Sequence, residues 1–284
     1  MNFQVIRRIS LIYALLLFIS TGCLPWRAPE RVKQYTGVEE ALAAGSSVQF
    51  VNLSDKGLKE FPAALSQLPN LRKLILRGNE IAGLPSDIQK FGKLEWLDLG
   101  ETQMKVIPAE IGKLSKLKNL WLNYNQLEVI PLEIGGLSTL EYLNLDSNRL
   151  TSVPVEIGKL ANLKWLRLSD NNLEKLPPEI GGLLSLRRFY VRNNKLQALP
   201  PELEKLTNLT DLSLNNNQIK VLPGWIGKLR NLKHLDLENN GLTALPDEIA
   251  DLVNLSWLRL QGNNISDQGR SKLKERLPNC LILY

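Results

Sequence analysis

The amino-acid sequence predicts an α/β fold made of about ten tandem repeats that stack into a solenoid. The first observation is a pattern, L-x-x-L-x-L-x-x-N-x-L, that returns every 23 residues between Val48 and Leu255. The second is the spacing of its apolar residues, which suits a strand whose side chains alternate between two faces. The third is a proline followed closely by an acidic residue in most units, which favours a short helical turn. Since one unit cannot bury its apolar face alone, neighbouring units must share a core.

The repeat keeps its register throughout, because no unit contains an insertion or a deletion. We expect the first, fourth and sixth positions of the pattern, as in Leu140, Leu143 and Leu145, to point into the solenoid and form a continuous core. The ten units begin at Val48, Leu71, Leu94, Leu117, Leu140, Leu163, Leu186, Leu209, Leu232 and Leu255.

The pattern resembles the leucine-rich-repeat family over residues 48–284, with the repeats themselves at residues 48–265. The resemblance implies a horseshoe with a parallel sheet on its concave side and short helices or 3-10 turns on its convex side. It also implies that the ninth-position asparagines stack as a ladder that satisfies backbone groups of the loop after each strand. Lys56 and Thr102 interrupt this row. Its members are Asn79, Asn125, Asn148, Asn171, Asn194, Asn217, Asn240 and Asn263.

The second half of the repeat reads L-P-x-E-I-G-x-L, and nine units have proline at the same place, from Pro62 to Pro246. Proline in the first turn of a helix loses no hydrogen bond, and an acid there meets the positive end of the helix dipole. We interpret the following glycine, as at Gly112, Gly135 and Gly158, as the residue that ends the turn. These residues are structural, and we assign them no function.

Both ends of the array are predicted to be capped. Residues 35–47 are expected to form an N-terminal capping helix, because Thr36 and Glu39 have the spacing of a capping box and Gly45 is a stop signal. Residues 266–284 are expected to form a C-terminal cap with a last helix and an edge strand.

Residues 1–22 have the three parts of a secretory signal peptide, which are a basic start, an apolar run and small residues before Cys23. The apolar run is about half the length of a membrane-spanning helix. The Ser-Thr-Gly-Cys junction resembles the lipobox of bacterial lipoproteins, with Ser20 in place of the usual leucine, as in the relaxed lipobox of spirochaetes. The resemblance implies that Cys23 carries lipid such as palmitate and that the protein is anchored in the cell envelope, at its outer surface or facing the periplasm. The prolines and charges of residues 24–34 suit a tether, so we assign residues 23–34 as a lipidated tether. The alternative is ordinary cleavage after Gly22, which would release a secreted chain.

The predicted concave face is rich in aromatic residues. Side chains at the third, fifth, seventh and eighth positions should face this side, with equivalent residues of adjacent repeats ~4.8 Å apart. Four of the six tryptophans and three of the six tyrosines fall there, interleaved with arginines. These residue types are enriched at binding hot spots, so we expect a binding patch; the alternative is that aromatic residues simply favour strands. The predicted ligand-binding residues are Trp96, Trp121, Tyr124, Tyr142, Trp165, Arg167, Arg188, Tyr190 and Arg192.

Several functions are not expected. Removal of Arg7 and Arg8 with the signal peptide leaves 33 basic against 29 acidic side chains, too mild an excess to predict nucleic-acid binding. Ser213, His234 and Asp236 should lie on adjacent strands, but Ser213 and His234 form a diagonal pair too far apart for catalysis. With one histidine and two distant cysteines, we predict neither a metal site, nor a cofactor, nor an enzyme.

The sequence therefore predicts a binding protein that recognises a protein partner, from a host or from the envelope, through its concave face. The lipid on Cys23 would attach it to a membrane. Glycan or cell-wall binding is the alternative, because the faces of tryptophan and tyrosine also stack on sugar rings.

Overall fold

Short parallel strands pair one after another in chain order, each with the strand before it and the strand after it. The structure is a computed structural model, and it describes residues 32–284. Gln34–Tyr284 is one compact unit, in which twelve strands form an open sheet with short 3-10 turns between them. The predicted α/β solenoid is thereby confirmed. The predicted signal peptide and Cys23 lie outside the described residues.

Adjacent repeats are aligned at a constant offset of 23 residues, as in the pairing of Phe50 with Lys73 and of Lys73 with Trp96. The strands are β1 Gln34–Tyr35, β2 Phe50–Asn52, β3 Lys73–Ile75, β4 Trp96–Asp98, β5 Asn119–Trp121, β6 Tyr142–Asn144, β7 Trp165–Arg167, β8 Arg188–Tyr190, β9 Asp211–Ser213, β10 His234–Asp236, β11 Trp257–Arg259 and β12 Leu281–Leu283. The 3-10 turns are Gly45–Ser47, Ala63–Gln67, Ser86–Lys90, Ala109–Lys113, Leu132–Gly136, Val155–Lys159, Pro178–Gly182, Pro201–Lys205, Gly224–Lys228 and Asp247–Asp251. The α-helices are α1 Val38–Ala44 and α2 Asp267–Arg276.

The core is a continuous column of leucine and isoleucine that runs through every repeat. Leu140, Leu143 and Leu145 are each fully buried, which confirms the inward direction predicted for the first, fourth and sixth positions. One isoleucine or leucine of each convex turn from Ala63–Gln67 to Asp247–Asp251, such as Ile157, closes the column from the other side.

The predicted asparagine ladder is also confirmed. The Nδ2 of Asn171 donates to the carbonyl of Leu168 in its own repeat and to the carbonyl of Leu145 in the preceding repeat, at 3.1 and 3.0 Å. Its Oδ1 accepts the backbone N–H of Leu150 at 3.0 Å. The other seven ladder asparagines make the same three kinds of contact, so each amide joins two repeats.

The eighth position of every repeat has a left-handed backbone, with φ between 50° and 73°. This conformation turns the chain away after the strand, and it favours glycine, asparagine and aspartate. Seven of the ten units have one of these residues there, whereas Glu101, Tyr124 and Ser147 do not.

The glycine that we expected to end each convex turn lies inside the turn, so that interpretation was wrong. Gly158, for example, lies within Val155–Lys159. A Cβ at Gly158 would stand 2.2 Å from the carbonyl oxygen of Glu179 in the next repeat. The same crowding by the next repeat is found at Gly112 and Gly135. Glycine is needed because adjacent turns touch.

The N-terminal cap differs from the prediction in two respects. Helix α1 begins after Gly37, which has an extended backbone, and no side chain caps it. The capping box of Thr36 and Glu39 was therefore wrong, because Thr36 stands one residue too early. In addition, Gln34 and Tyr35 form a strand that pairs with β2, which the sequence analysis did not foresee.

The C-terminal cap contains the two elements expected there. The hydroxyl of Ser266 accepts the N–H of Gly269 and caps α2. Strand β12 then pairs with β11 and forms the last edge of the sheet.

Replacement of Gly158 by alanine is expected to lower the free energy of unfolding by about 1–3 kcal/mol, because the new Cβ must push adjacent repeats apart. Gly92→Ala is the matched control, since a Cβ there meets nothing within 4 Å. The control should be neutral or stabilising by up to about 1 kcal/mol. Urea unfolding followed by circular dichroism measures both, and equal stabilities would contradict the packing role of Gly158.

Candidate binding face

The buried middle residue of each strand from β2 to β11 determines which side chains reach the concave face. In β5, Leu120 points into the core and is fully buried. Its neighbours Asn119 and Trp121 therefore point the opposite way, since side chains alternate along a strand. The repeat places two such side chains per strand on the concave face.

Five aromatic side chains on β4 to β8 form a continuous series, which we call the aromatic row: Trp96, Trp121, Tyr142, Trp165 and Tyr190. Trp96 stacks on Trp121 with ring centroids 5.9 Å apart, and Trp121 stacks on Tyr142 at 4.4 Å. Tyr142 meets Trp165 edge to face at 4.9 Å, and Trp165 meets Tyr190 in the same way at 6.0 Å. At ~4.8 Å per strand, the row is about 19 Å long.

Members of the row differ in exposure. Tyr142 and Trp165 have only 6% and 4% of their surface exposed, whereas Trp96, Trp121 and Tyr190 are partly exposed. Burial raises the pKa of the Tyr142 hydroxyl, so this side chain is neutral at physiological pH.

A lysine lies over the first ring of the row. The Nζ of Lys73 is 4.4 Å from the ring centroid of Trp96 and 4.8 Å from that of Phe50. Burial lowers the pKa of Lys73, and the charge of Asp98 acts in the opposite direction. The contact has the geometry of a cation–π interaction.

Arg167 lies over the last ring of the row, with its guanidinium carbon 5.6 Å from the ring centroid of Tyr190. Asp146 holds this guanidinium, since the Nε of Arg167 donates to an Asp146 carboxylate oxygen at 2.6 Å. The other Asp146 oxygen accepts the backbone N–H of Ser169 at 2.7 Å. Burial raises the pKa of the Asp146 carboxyl, and the charge of Arg167 acts against that rise.

Arg188 lies over Trp165, with 5.0 Å between its guanidinium carbon and the ring centroid. Its Nε is 3.6 Å from an oxygen of Asp211, whose other oxygen lies 2.7 Å from the Nδ1 of His234. The carboxylate therefore positions two basic side chains on neighbouring strands.

Two indole N–H groups of the row have no hydrogen-bond acceptor in the part of the chain that the structure describes. The Nε1 atoms of Trp96 and Trp165 are buried, and neither has a hydrogen-bond acceptor among residues 32–284. A buried donor without an acceptor costs about 1–3 kcal/mol, so each such group calls for an explanation. Because both atoms are inaccessible to solvent, a ligand would reach them only after these side chains move.

Two predicted binding residues lie apart from the row. Tyr124 occupies an eighth position, has a φ of 56° and is 51% exposed. Arg192 is exposed, and its Nη2 lies 3.9 Å from Asp170. The structure thus brings seven of the nine predicted residues together and leaves these two on the loops that follow the strands.

A ladder of polar side chains lies on the loops that follow strands β7 to β10, and it was not predicted from the sequence. The Nδ2 of Asn193 donates to Asp170 at 2.5 Å, that of Asn216 donates to Asn193 at 2.6 Å, and that of Asn239 donates to Asn216 at 2.8 Å. All four residues occupy the eighth position, where an Asp, Asn, Asn, Asn series in consecutive repeats could have revealed it.

Ser213 and His234 do not form a catalytic pair in the structure. The hydroxyl of Ser213 donates to Asn215 at 2.7 Å, whereas His234 contacts Asp211. Within residues 32–284, no group of three or more His, Cys, Asp or Glu side chains is placed to hold a metal ion. In the same range, no helix has both the length and the apolar character needed to cross a membrane.

An open parallel sheet with one 23-residue unit per strand and a shared leucine core defines a repeat solenoid. The family description "Leucine-rich repeat region" matches residues 58–145 and 131–218, and "Leucine rich repeat" matches residues 207–265. The chain belongs to the leucine-rich-repeat family. Comparison with curated proteins gives no match.

Solved structures with the same repeat fold include bacterial and plant proteins. An internalin of Listeria monocytogenes, inlF, is 23% identical with a TM-score of 0.67, over 84% of this chain and 80% of that one, and it shows the fold alone. The plant peptide hormone receptor RGFR1, in complex with RGF2, is 28% identical with a TM-score of 0.64, over 81% and 42% of the two chains. The Arabidopsis receptor kinase HAESA, in complex with the peptide hormone IDA and the co-receptor SERK1, is 30% identical with a TM-score of 0.68, over 77% and 40%. This chain therefore spans about two fifths of each receptor.

Replacement of Tyr124 by asparagine is expected to raise the free energy of unfolding by about 1 kcal/mol, because a bulky side chain is strained at positive φ and asparagine tolerates it. Tyr124→Phe is the control, since it keeps the ring on the strained backbone and should leave stability unchanged. Urea unfolding distinguishes the two variants. A loss of stability in Tyr124→Asn would show that contacts of the ring outweigh the strain.

Proposed function

We propose that this protein is a non-enzymatic binding protein that holds an extended segment of a protein partner along the aromatic row. The observation that carries the proposal is the row itself, in which five rings are in continuous contact with basic side chains over both ends. Aromatic and arginine side chains dominate the energetics of protein interfaces.

The chemistry of the face suits a peptide segment. A row about 19 Å long matches roughly six residues of extended chain at ~3.3 Å per residue. The planar guanidinium groups of Arg167 and Arg188, each paired with an aspartate, would contact the segment near one end. RGFR1 and HAESA were both solved with peptide hormones, and this likeness supports a peptide segment as the ligand class.

Substitution of Trp121 and Trp165 together by alanine is expected to abolish capture of the partner, because it removes two inner rings of the row. The full chain serves as bait, and mass spectrometry identifies what it retains. Trp257→Ala is the matched control, since it removes the same side chain from the same sheet on β11, outside the row. Circular dichroism and urea unfolding verify that all variants fold.

Equal capture by the double variant and the wild type would place the binding site elsewhere on the molecule. Loss of capture in Trp257→Ala as well would extend the site beyond the row.

Glycan or cell-wall binding remains the second candidate, and the amide ladder from Asp170 to Asn239 favours it. Exposed amides can pair with sugar hydroxyls, and aromatic rings can stack on sugar rings. A glycan array tests this function directly. Sugar binding that depends on Trp121 and Trp165, without capture of any protein, would replace the first proposal.

We also propose that the protein is anchored in a bacterial envelope through lipid on Cys23, at the outer surface or facing the periplasm. Support comes from the sequence of residues 1–23, which combines a basic start, an apolar run and the Ser-Thr-Gly-Cys junction. Release as a secreted chain after cleavage at Gly22 is the alternative.

Cells that express the chain and are fed a labelled fatty acid should incorporate label into the wild type but not into Cys23→Ala. Cys280→Ala is the matched control, because it removes the other cysteine of the chain and should keep the label. Label that persists in Cys23→Ala, or an unlabelled wild type, would contradict anchoring at this residue.

A further inference from the structure

The edge of the solenoid where the strands begin is positively charged. Nine four-residue segments precede strands β3 to β11, from residues 69–72 to residues 253–256, and we call them the basic rim. They contain eight basic side chains and two acidic ones, which is a net charge of +6. The whole chain also has a formal net charge of +6, so all other residues together are balanced. The excess positive charge of the protein is thus concentrated on one edge.

The two acidic side chains of the basic rim are already paired within it. Glu95 binds Arg72 and Lys118, each at 2.9 Å, and Glu141 binds Lys164 at 2.7 Å. The remaining five cations of the rim are exposed and have no ion pair among residues 32–284. They are Lys93, Lys116, Arg187, Arg230 and Lys233.

Asparagines in several segments of the basic rim bond the backbone of the preceding repeat. The Nδ2 of Asn162 donates to the carbonyl of Ser138 in the preceding repeat at 2.8 Å. Asn208, Asn231 and Asn254 make the equivalent bond to the repeats before them at 2.8–2.9 Å. The cations therefore project from a regular edge about 38 Å long, at ~4.8 Å per strand.

Apolar side chains stand among these cations. Leu184 is 53% exposed and Val253 is 78% exposed, and both lie in rim segments. Arg187 shares a segment with Leu184, whereas Arg230 lies one repeat before Val253. Cations interspersed with exposed apolar side chains are the combination that binds at a membrane interface.

We propose that the basic rim docks the solenoid on a layer of anionic lipid headgroups. The ends of nine parallel strands contact such a layer together, the unpaired cations meet its phosphates, and Leu184 and Val253 enter its apolar boundary. A soluble linear polyanion would satisfy the charges but would offer no apolar phase to these two side chains. The proposal is independent of the ligand of the concave face.

Binding of the full chain to vesicles tests the proposal. The vesicles contain either pure phosphatidylcholine or an equimolar mixture with phosphatidylglycerol, and sedimentation measures the bound fraction. The triple variant Arg187→Glu, Arg230→Glu, Lys233→Glu should bind the anionic vesicles at least about tenfold more weakly than the wild type. Pure phosphatidylcholine vesicles measure the contribution of the apolar N-terminal run, which is the same in all variants.

The matched control is Lys175→Glu, Lys195→Glu, Lys220→Glu. These lysines are exposed, follow the strands rather than precede them, and have no ion pair among residues 32–284. The control changes the net charge by the same amount and should keep at least most of the binding. Urea unfolding confirms that both triple variants are folded.

Three results would overturn the proposal. Equal weakening of vesicle binding by both triple variants would show that net charge alone explains the effect. Unchanged binding by the rim variant would remove the rim from membrane contact. Loss of retention on immobilised heparin by the rim variant, with unchanged vesicle binding, would assign the rim to a linear polyanion instead.

Discussion

The side-chain amide of the ninth-position asparagine is the contact on which the rest of this structure depends. It bonds one carbonyl of its own repeat and one of the preceding repeat, and it accepts an N–H of the preceding repeat. These backbone groups would otherwise be buried without partners where the chain leaves the strand. Because each amide joins two repeats, the register of one unit is passed to the next, and an offset of 23 residues is maintained along the sheet. A row of aromatic rings in mutual contact requires this alignment.

The repeat contains positions that hold the fold and positions that differ from one unit to the next. The middle residue of each strand from β2 to β11 and the buried isoleucine or leucine of each convex turn are committed to the core. The third and fifth positions face the concave side, so aromatic and basic side chains can occupy them without loss of core packing. Tyr124 is placed at the expense of backbone strain, since it occupies a left-handed position that seven other repeats fill with Gly, Asn or Asp. A strained residue that is also half exposed is a candidate for function rather than for stability.

Features that depend on the period of the sequence could be predicted, and features that depend on contact between repeats could not. The core positions follow from spacing alone, whereas the asparagine ladder, which does join repeats, was expected only from the resemblance to the family. Gly158 was misread because its role depends on the carbonyl of Glu179 in the next repeat, 21 residues further along the chain. The concave position of Trp121 and Tyr142 was foreseen, but their stacking at 4.4 Å depends on side-chain rotation, which no repeat pattern specifies. Strand β1 could not be predicted because its two residues, Gln34 and Tyr35, are too few to show any periodicity.

The two proposed surfaces lie on different sides of the solenoid, and the topology makes them compatible. All twelve strands are parallel, so β1 begins at the same edge as the strands that follow the basic rim. Gln34, the first residue of β1, therefore lies at that edge. If the basic rim lay on the headgroups, the strands would run away from the membrane. The concave face would then stand roughly perpendicular to the membrane and stay exposed to solvent. The aromatic row would then meet partners that approach along the membrane surface, because contact along the whole basic rim would limit the solenoid to one orientation.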